Sequence, residues 1–169
     1  MTTLNWGILG TGAIASAFAY GLRQSTKGSL KAIGSREQQS AKAFATEYGV
    51  PHHYGSYESL LEDQEVHAIY ISTPHPFHAK WAVKALEANK HVLCEKPLGL
   101  NHAQGMVMVE AARENHVFFM EAFMYRCHPQ TAKLLELLKD GAVGQIRMIR
   151  ASFGFGGGDS INSESRIFD

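Results

Sequence analysis

The segment from Leu4 to Ala15, "LNWGILGTGAIA", restricts the fold more than any other stretch of the chain. Leu4 to Leu9 reads as a short strand. The chain then turns at once through Gly10-x-Gly12-x-x-Ala15, and Ile14, Phe18 and Leu22 recur at helical spacing. A lone glycine fingerprint is weak, but one lying between a strand and a helix is in its required context. Gly10 permits a tight turn, Gly12 lets backbone approach a bound pyrophosphate, and Ala15 allows close packing of helix on strand. The backbone amides of Thr11, Gly12, Ala13 and Ile14 would then face an anion at the positive end of the helix. A tight turn that binds nothing is the alternative.

The remaining elements follow the same alternation. Leu30 to Ile33 reads as a second strand, and Ala41, Phe44, Ala45 and Tyr48 give a helix stopped by Gly49. Tyr57 to Leu61 is a shorter helical piece. "AIYIS", Ala68 to Ser72, is a continuous apolar run of the kind buried on both faces of a parallel sheet. Ala79, Ala82, Val83 and Leu86 form the next helical face, and the strand starting at His91 follows. A helix from about Asn101, a suitable N-cap, to Asn115 precedes a strand at Val117 to Met120. Such alternation predicts an α/β, Rossmann-type doubly wound parallel sheet with right-handed crossovers. The pattern then changes. Pro129 fits the first turn of a helix carrying Leu134, Leu137 and Leu138, and Ile149, Ala151, Phe153 and Phe155 alternate as an open-faced strand would. The expected division is a dinucleotide-binding domain over 1–122 and the truncated start of an α+β domain with an open antiparallel sheet over 123–169. His52, His53 and His116 read as surface or loop residues.

The second strand ends Ile33-Gly34-Ser35-Arg36. A site for NAD normally places Asp or Glu there to bond the ribose 2′-hydroxyl, whereas one for NADP offers Arg. Arg36 suits stacking on adenine and contact with a 2′-phosphate, and Ser35 adds a hydrogen bond. Glu37 comes one residue late. NADP is therefore expected ahead of NAD, with a solvated Arg36 as the alternative.

At the far strands, Thr73-Pro74-His75-Pro76-Phe77-His78 follows the carboxyl end of a strand, where ligands of open α/β sheets lie. Thr73, Pro74, His75 and His78 are assigned to the crevice, with His78 at the following helix. Two histidines without a third ligand at recognisable spacing do not make a metal site, and none is expected. Glu95-Lys96-Pro97 ends the next strand on the same edge. Lys96 would point to where a nicotinamide and substrate meet and shuttle a proton there, the more readily if buried. Glu95 would orient it or touch the cofactor ribose, and Pro97 would stiffen the backbone. A solvated charge pair is the competing reading.

"GILGTGAIA", "ISTPHPFHAKWAVKALEANKHVLCEKPLGL" and "MEAFMYRCHPQ" together resemble the Gfo/Idh/MocA oxidoreductases, named for glucose–fructose oxidoreductase and inositol dehydrogenase, most closely the NADP-dependent dihydrodiol and D-xylose dehydrogenase branch. The resemblance implies Lys96 as a catalytic lysine, a cis Lys96–Pro97 bond, and a Rossmann domain followed by an α/β domain whose open sheet serves dimerisation. It also implies a second motif, Asp followed by His or Tyr, soon after a segment like "SESRIFD", where this sequence ends. A truncated piece retaining the cofactor half is expected. The activity implied is hydride transfer between NADP and a sugar or polyol-like alcohol; a dinucleotide-sensing regulator on the same fold is the alternative.

Composition sets the remaining bounds. The 169 residues, 45% hydrophobic, suit one core of ordinary size, and 16 basic against 16 acidic residues give no charge that would recruit nucleic acid or an anionic membrane. No apolar run reaches the ~18 residues of a span. Two cysteines, Cys94 and Cys127, fit a reducing compartment and hence the cytoplasm. The expected partners are a small-molecule substrate and a second copy of the chain in a homo-oligomer.

Overall fold

The computed structural model describes residues 3–152 and 154. Two compact units divide the chain, Met1–Met124 and Tyr125–Asp169. The first is a six-stranded sheet of β1 (Leu4–Leu9), β2 (Gly28–Gly34), β3 (His52–Tyr54), β4 (Ala68–Ile71), β5 (His91–Cys94) and β6 (Phe119–Glu121). Its order is β3-β2-β1-β4-β5-β6, and every pair is parallel. The order reverses between β1 and β4, which makes their carboxyl ends the topological switch point.

The helices are α1 (Ala13–Arg23), α2 (Gln38–Tyr48), α3 (Tyr57–Leu61), α4 (His78–Glu87) and α5 (His102–Glu114). Sequence alternation decides which face each strand residue serves. Ile8, Ile33 and Tyr70 pack with Ala15 and Ala19 of α1 and Phe44 and Ala45 of α2. The alternate residues Leu9, Ala32, Ile69 and Ile71 pack with Leu60 of α3, Trp81 and Leu86 of α4 and Met108 of α5. Strand β4 is therefore buried throughout, as a central parallel strand must be. Gly49 takes a left-handed φ of 67° after α2 and Asn101 caps the start of α5 by accepting the Gln104 amide, both as expected, and Ser56 caps α3 by accepting the Ser59 amide.

The sheet departs from expectation at three places. Strand β2 begins two residues before Leu30, and β6 starts two residues after Val117. His52 and His53, read as surface or loop residues, form most of edge strand β3, where polar side chains are tolerated because one strand edge has no neighbour among the described residues. In the second unit, α6 (Pro129–Lys139) forms as expected, with Pro129 in its first turn. The strand expected from Ile149 does not appear: residues 149–152 have no regular structure, and Phe153 and Phe155 lie outside the described residues. Alternation selects a face only when a neighbouring strand supplies a ladder, and no described residue pairs with this segment.

Candidate active site at the carboxyl edge of the sheet

Backbone bonds carry the sheet order into the turns that could meet a ligand. The Gly10 amide donates to the Gly34 carbonyl at 3.0 Å, and the Ser72 amide to the Leu9 carbonyl at 3.0 Å. The Glu95 amide reaches the Ile71 carbonyl at 3.0 Å, and the Ala122 amide the Cys94 carbonyl at 2.7 Å. Four turns, after β1, β2, β4 and β5, are thereby held along one edge.

At the first turn Gly10 has φ +104°, a region L side chains avoid, and a Cβ there would sit 3.0 Å from Ser72 Oγ. Gly12 is the N-cap of α1 in ordinary extended geometry, and no side chain caps the helix start. A Cβ on Gly12 would meet nothing within 4 Å. The amides of the first turn therefore open onto free space, with Gly12, Ala13 and Ile14 exposed and Thr11 half-buried. Those features fit a phosphate group, whose oxygens supply the acceptors that the helix start lacks.

At the second turn the Ser35 amide donates to the Tyr54 carbonyl at 3.0 Å, so β3 fixes the turn. Ser35 is buried, and its Oγ accepts the Glu37 amide at 3.4 Å. The Glu37 carboxylate accepts from the Ser40 hydroxyl at 3.2 Å within the start of α2. Arg36 is exposed and makes no hydrogen bond or ion pair with any other described residue. Burial raises the Tyr57 hydroxyl above its ordinary pKa, and the positive charge of Arg36 pulls the other way.

Beyond β4, Thr73 is 2% exposed and its Oγ1 has no hydrogen-bond partner among the described residues. Buried hydroxyls normally have one, which sets this atom apart among the described residues. Pro74 is exposed and His75 half-buried. His78, expected beside the cofactor, turns inward instead. It is fully buried, with Nδ1 2.8 Å from the Pro97 carbonyl oxygen and Nε2 2.8 Å from that of Thr73. Both ring nitrogens face backbone carbonyls rather than the open edge, and a neutral ring donates to one of the two at a time. The His75 and His78 rings stand 5.7 Å apart, and among the described residues no three His, Cys, Asp or Glu side chains gather as a metal cage would require.

Beyond β5, the Lys96–Pro97 bond is cis. Lys96 is exposed rather than buried, and its amine makes no bond with any other described residue. Glu95 is buried, and Tyr70 donates its hydroxyl to Glu95 Oε1 at 2.6 Å. Glu95 Oε2 accepts the Lys96 amide at 3.3 Å. Glu121, which the sequence reading did not select, ends β6 opposite Cys94 and accepts the Leu98 amide on Oε1 at 2.8 Å. The signal available in the sequence was a second carboxylate at the end of the adjacent strand. Burial, together with the charges of Glu95 and Glu121, pushes the Cys94 thiol up to about 12, so it is no nucleophile at neutral pH.

Comparison with known proteins agrees with this arrangement. Residues 4–123 match the oxidoreductase family with an NAD-binding Rossmann fold, Gfo/Idh/MocA. Trans-1,2-dihydrobenzene-1,2-diol dehydrogenase of Mus musculus is 42% identical over 154 residues, covering 90% of this chain and 46% of that protein. The enzyme of the same name from Danio rerio is 40% identical over 153 residues, covering 89% and 46%. A crystal structure of a 3-ketoreductase from Actinomadura kijaniata, in complex with TDP-benzene and NADP, superposes with a TM-score of 0.79 at 35% identity over 86% of this chain and 46% of that one. The chain thus spans about half the length of the relatives it matches. With its glycine turn, parallel strand order and Glu95-Lys96-Pro97 edge, the chain belongs to the Gfo/Idh/MocA oxidoreductase family.

Proposed function

We propose that this chain is the NADP-binding half of a dehydrogenase that moves hydride between the dinucleotide and a hydroxyl-bearing carbon of a sugar or related alcohol. The observation that carries the reading is the shared edge: an uncapped helix start over open space, a free Arg36, an orphaned Thr73 Oγ1 and a free Lys96 amine all lie on turns at the carboxyl ends of parallel strands. The first-turn amides, Thr11 to Ile14, take the pyrophosphate, and Gly10, whose own amide is held by the Gly34 carbonyl, makes the turn that presents them. Ser35 and Arg36 take the 2′-phosphate, with Arg36 offering its planar fork of donors. Thr73 and Pro74 line the crevice, and Thr73 Oγ1 supplies a hydrogen bond there. When bound, NADP supplies the hydride chemistry. Lys96 holds or delivers the proton at the substrate oxygen, so it is the catalytic residue of the reading. The named relatives are dehydrogenases and a ketoreductase solved with NADP, which favours an enzyme over a regulator. Residues 123–169 belong, on this reading, to the start of the substrate domain.

Calorimetry on this chain tests the cofactor assignment. NADPH is expected to bind more tightly than NADH. Arg36→Ala should weaken NADPH roughly tenfold, the loss of one charge-assisted contact, and NADH less than about twofold. Equal losses for the two dinucleotides would refute the role of Arg36, because only NADPH carries the 2′-phosphate.

A further inference from the structure

We propose that Glu121 is a positioning residue, part of a polar clamp with Glu95 and His78 that fixes the backbone of residues 96–98 and so aims Lys96. The proposal rests on the reading of Lys96 as the proton-transfer group. Three consecutive residues each have a backbone group held by a different side chain. The Lys96 amide donates to Glu95 Oε2 at 3.3 Å, the Pro97 carbonyl lies 2.8 Å from His78 Nδ1, and the Leu98 amide donates to Glu121 Oε1 at 2.8 Å. Farther along, the Leu100 amide donates to Gln104 Oε1 at 2.9 Å, which ties the same loop to α5.

The anchors are themselves anchored. Glu95 is pinned by the Tyr70 hydroxyl at 2.6 Å, and the Tyr70 ring stacks on Phe18 of α1 with centroids 4.0 Å apart. The other nitrogen of His78 lies 2.8 Å from the Thr73 carbonyl, so the buried ring is packed between the turn after β4 and the loop after β5 and donates to one of the two carbonyls at a time. Glu121 is set by the β5–β6 register opposite Cys94. Against these fixed points the Lys96 side chain is exposed and unbonded among the described residues. A held backbone with a free amine is what a proton-transfer lysine needs, since misplacing a reacting group by about 1 Å can cost ~100-fold in rate. Glu121 is the informative member of the clamp: its bond to Leu98 is short and charge-assisted, and it comes from a strand that carries no other assigned residue.

The test uses the 169-residue chain with Glu121→Ala and Glu121→Gln, the second retaining a side-chain oxygen acceptor. Three quantities are read: amide exchange at Leu98, NADPH affinity, and protection of the Lys96 amine by NADPH against acetic anhydride, followed by mass spectrometry. Glu121→Ala should raise the Leu98 exchange rate roughly tenfold and cut NADPH protection of Lys96 by more than half, with NADPH affinity within about twofold of the parent. Glu121→Gln should restore both exchange and protection to within about threefold. Unchanged exchange at Leu98, or a Glu121→Gln variant as impaired as Glu121→Ala, overturns the clamp. A fall in NADPH affinity matching the loss of protection also overturns it, because Glu121 would then act on the cofactor. If NADPH gives Lys96 no protection in the unsubstituted chain, the Lys96 reading itself fails, whatever Leu98 exchange shows.

Discussion

Gly12→Val will weaken NADPH binding by roughly a hundredfold, about 2.7 kcal/mol, while leaving the stability of the chain almost unchanged. The separation follows from the local geometry. Gly12 has φ −78° and ψ 177°, which any residue adopts, and an added Cβ meets no protein atom within 4 Å. Its cost to the fold is limited to a poorer N-cap, on the order of 0.5 kcal/mol. The branched side chain instead occupies the space over the first-turn amides, where a pyrophosphate has to approach the backbone. Gly10→Ala gives the reverse pattern. Gly10 needs φ +104°, and its Cβ would press on Ser72 Oγ at 3.0 Å, so the fold itself loses on the order of 1–2 kcal/mol. Calorimetry with NADPH and urea unfolding of both variants measure the two effects. Normal NADPH affinity in Gly12→Val would remove the dinucleotide from this turn.

The difference between these glycines also shows what could be read before the structure. "GILGTGAIA" announces a strand, a turn and a helix because each glycine answers a local steric requirement, and local requirements are written in neighbouring residues. The buried run "AIYIS" and the helical face of Ala79, Ala82, Val83 and Leu86 were legible for the same reason, since periodicity records which side meets the core. Other features depend on residues far apart in the chain. Strand β3, with its sequence His52-His53-Tyr54, has no apolar alternation and exists because β2 offers an edge. His78 sits beside the crevice motif in sequence, yet its acceptors are the Thr73 and Pro97 carbonyls, the latter 19 positions away. Glu121 looks like an ordinary end-of-strand charge until β5 and β6 are placed in register. The expected strand from Ile149 failed for the complementary reason: its period was correct for a sheet face, but no ladder partner stands among the described residues.

The edge strand is also where the largest effect on stability is expected, because Asp63→Ala should lower unfolding free energy by about 3 kcal/mol at neutral pH. Strand β3 has three residues and one neighbouring strand, too little to hold itself. Asp63 supplies the rest. Its side chain is only 6% exposed. Oδ2 accepts from the Tyr54 hydroxyl at 2.9 Å and from His52 Nδ1 at 2.8 Å, while Oδ1 accepts the Glu65 amide at 2.8 Å. The Asp63 carbonyl receives the buried Lys90 amine at 2.8 Å, tying the same loop to the start of β5. Truncation at Asp63 strands the part-buried Tyr54 hydroxyl, at roughly 1–3 kcal/mol, and gives up the part-buried bond from His52, while the exposed Glu65 amide can turn to water. Burial alone would raise the Asp63 carboxyl, but the bonds from His52, the Glu65 amide and Tyr54 outweigh it and hold the group below its ordinary value of 3.8. A depressed carboxylate stabilises the fold fully above the unfolded pKa and loses that contribution as pH falls through the folded one. The gap between parent and Asp63→Ala should therefore narrow as pH falls below about pH 4. Urea unfolding at several pH values gives this directly, and a gap that does not narrow in acid would show that the ionised carboxylate is not the source. The consequence reaches the cofactor edge through one bond, the Ser35 amide to the Tyr54 carbonyl at 3.0 Å. As β3 loosens, the turn carrying Arg36 loosens with it, so Asp63→Ala should erode the preference for NADPH over NADH before it lowers affinity for both.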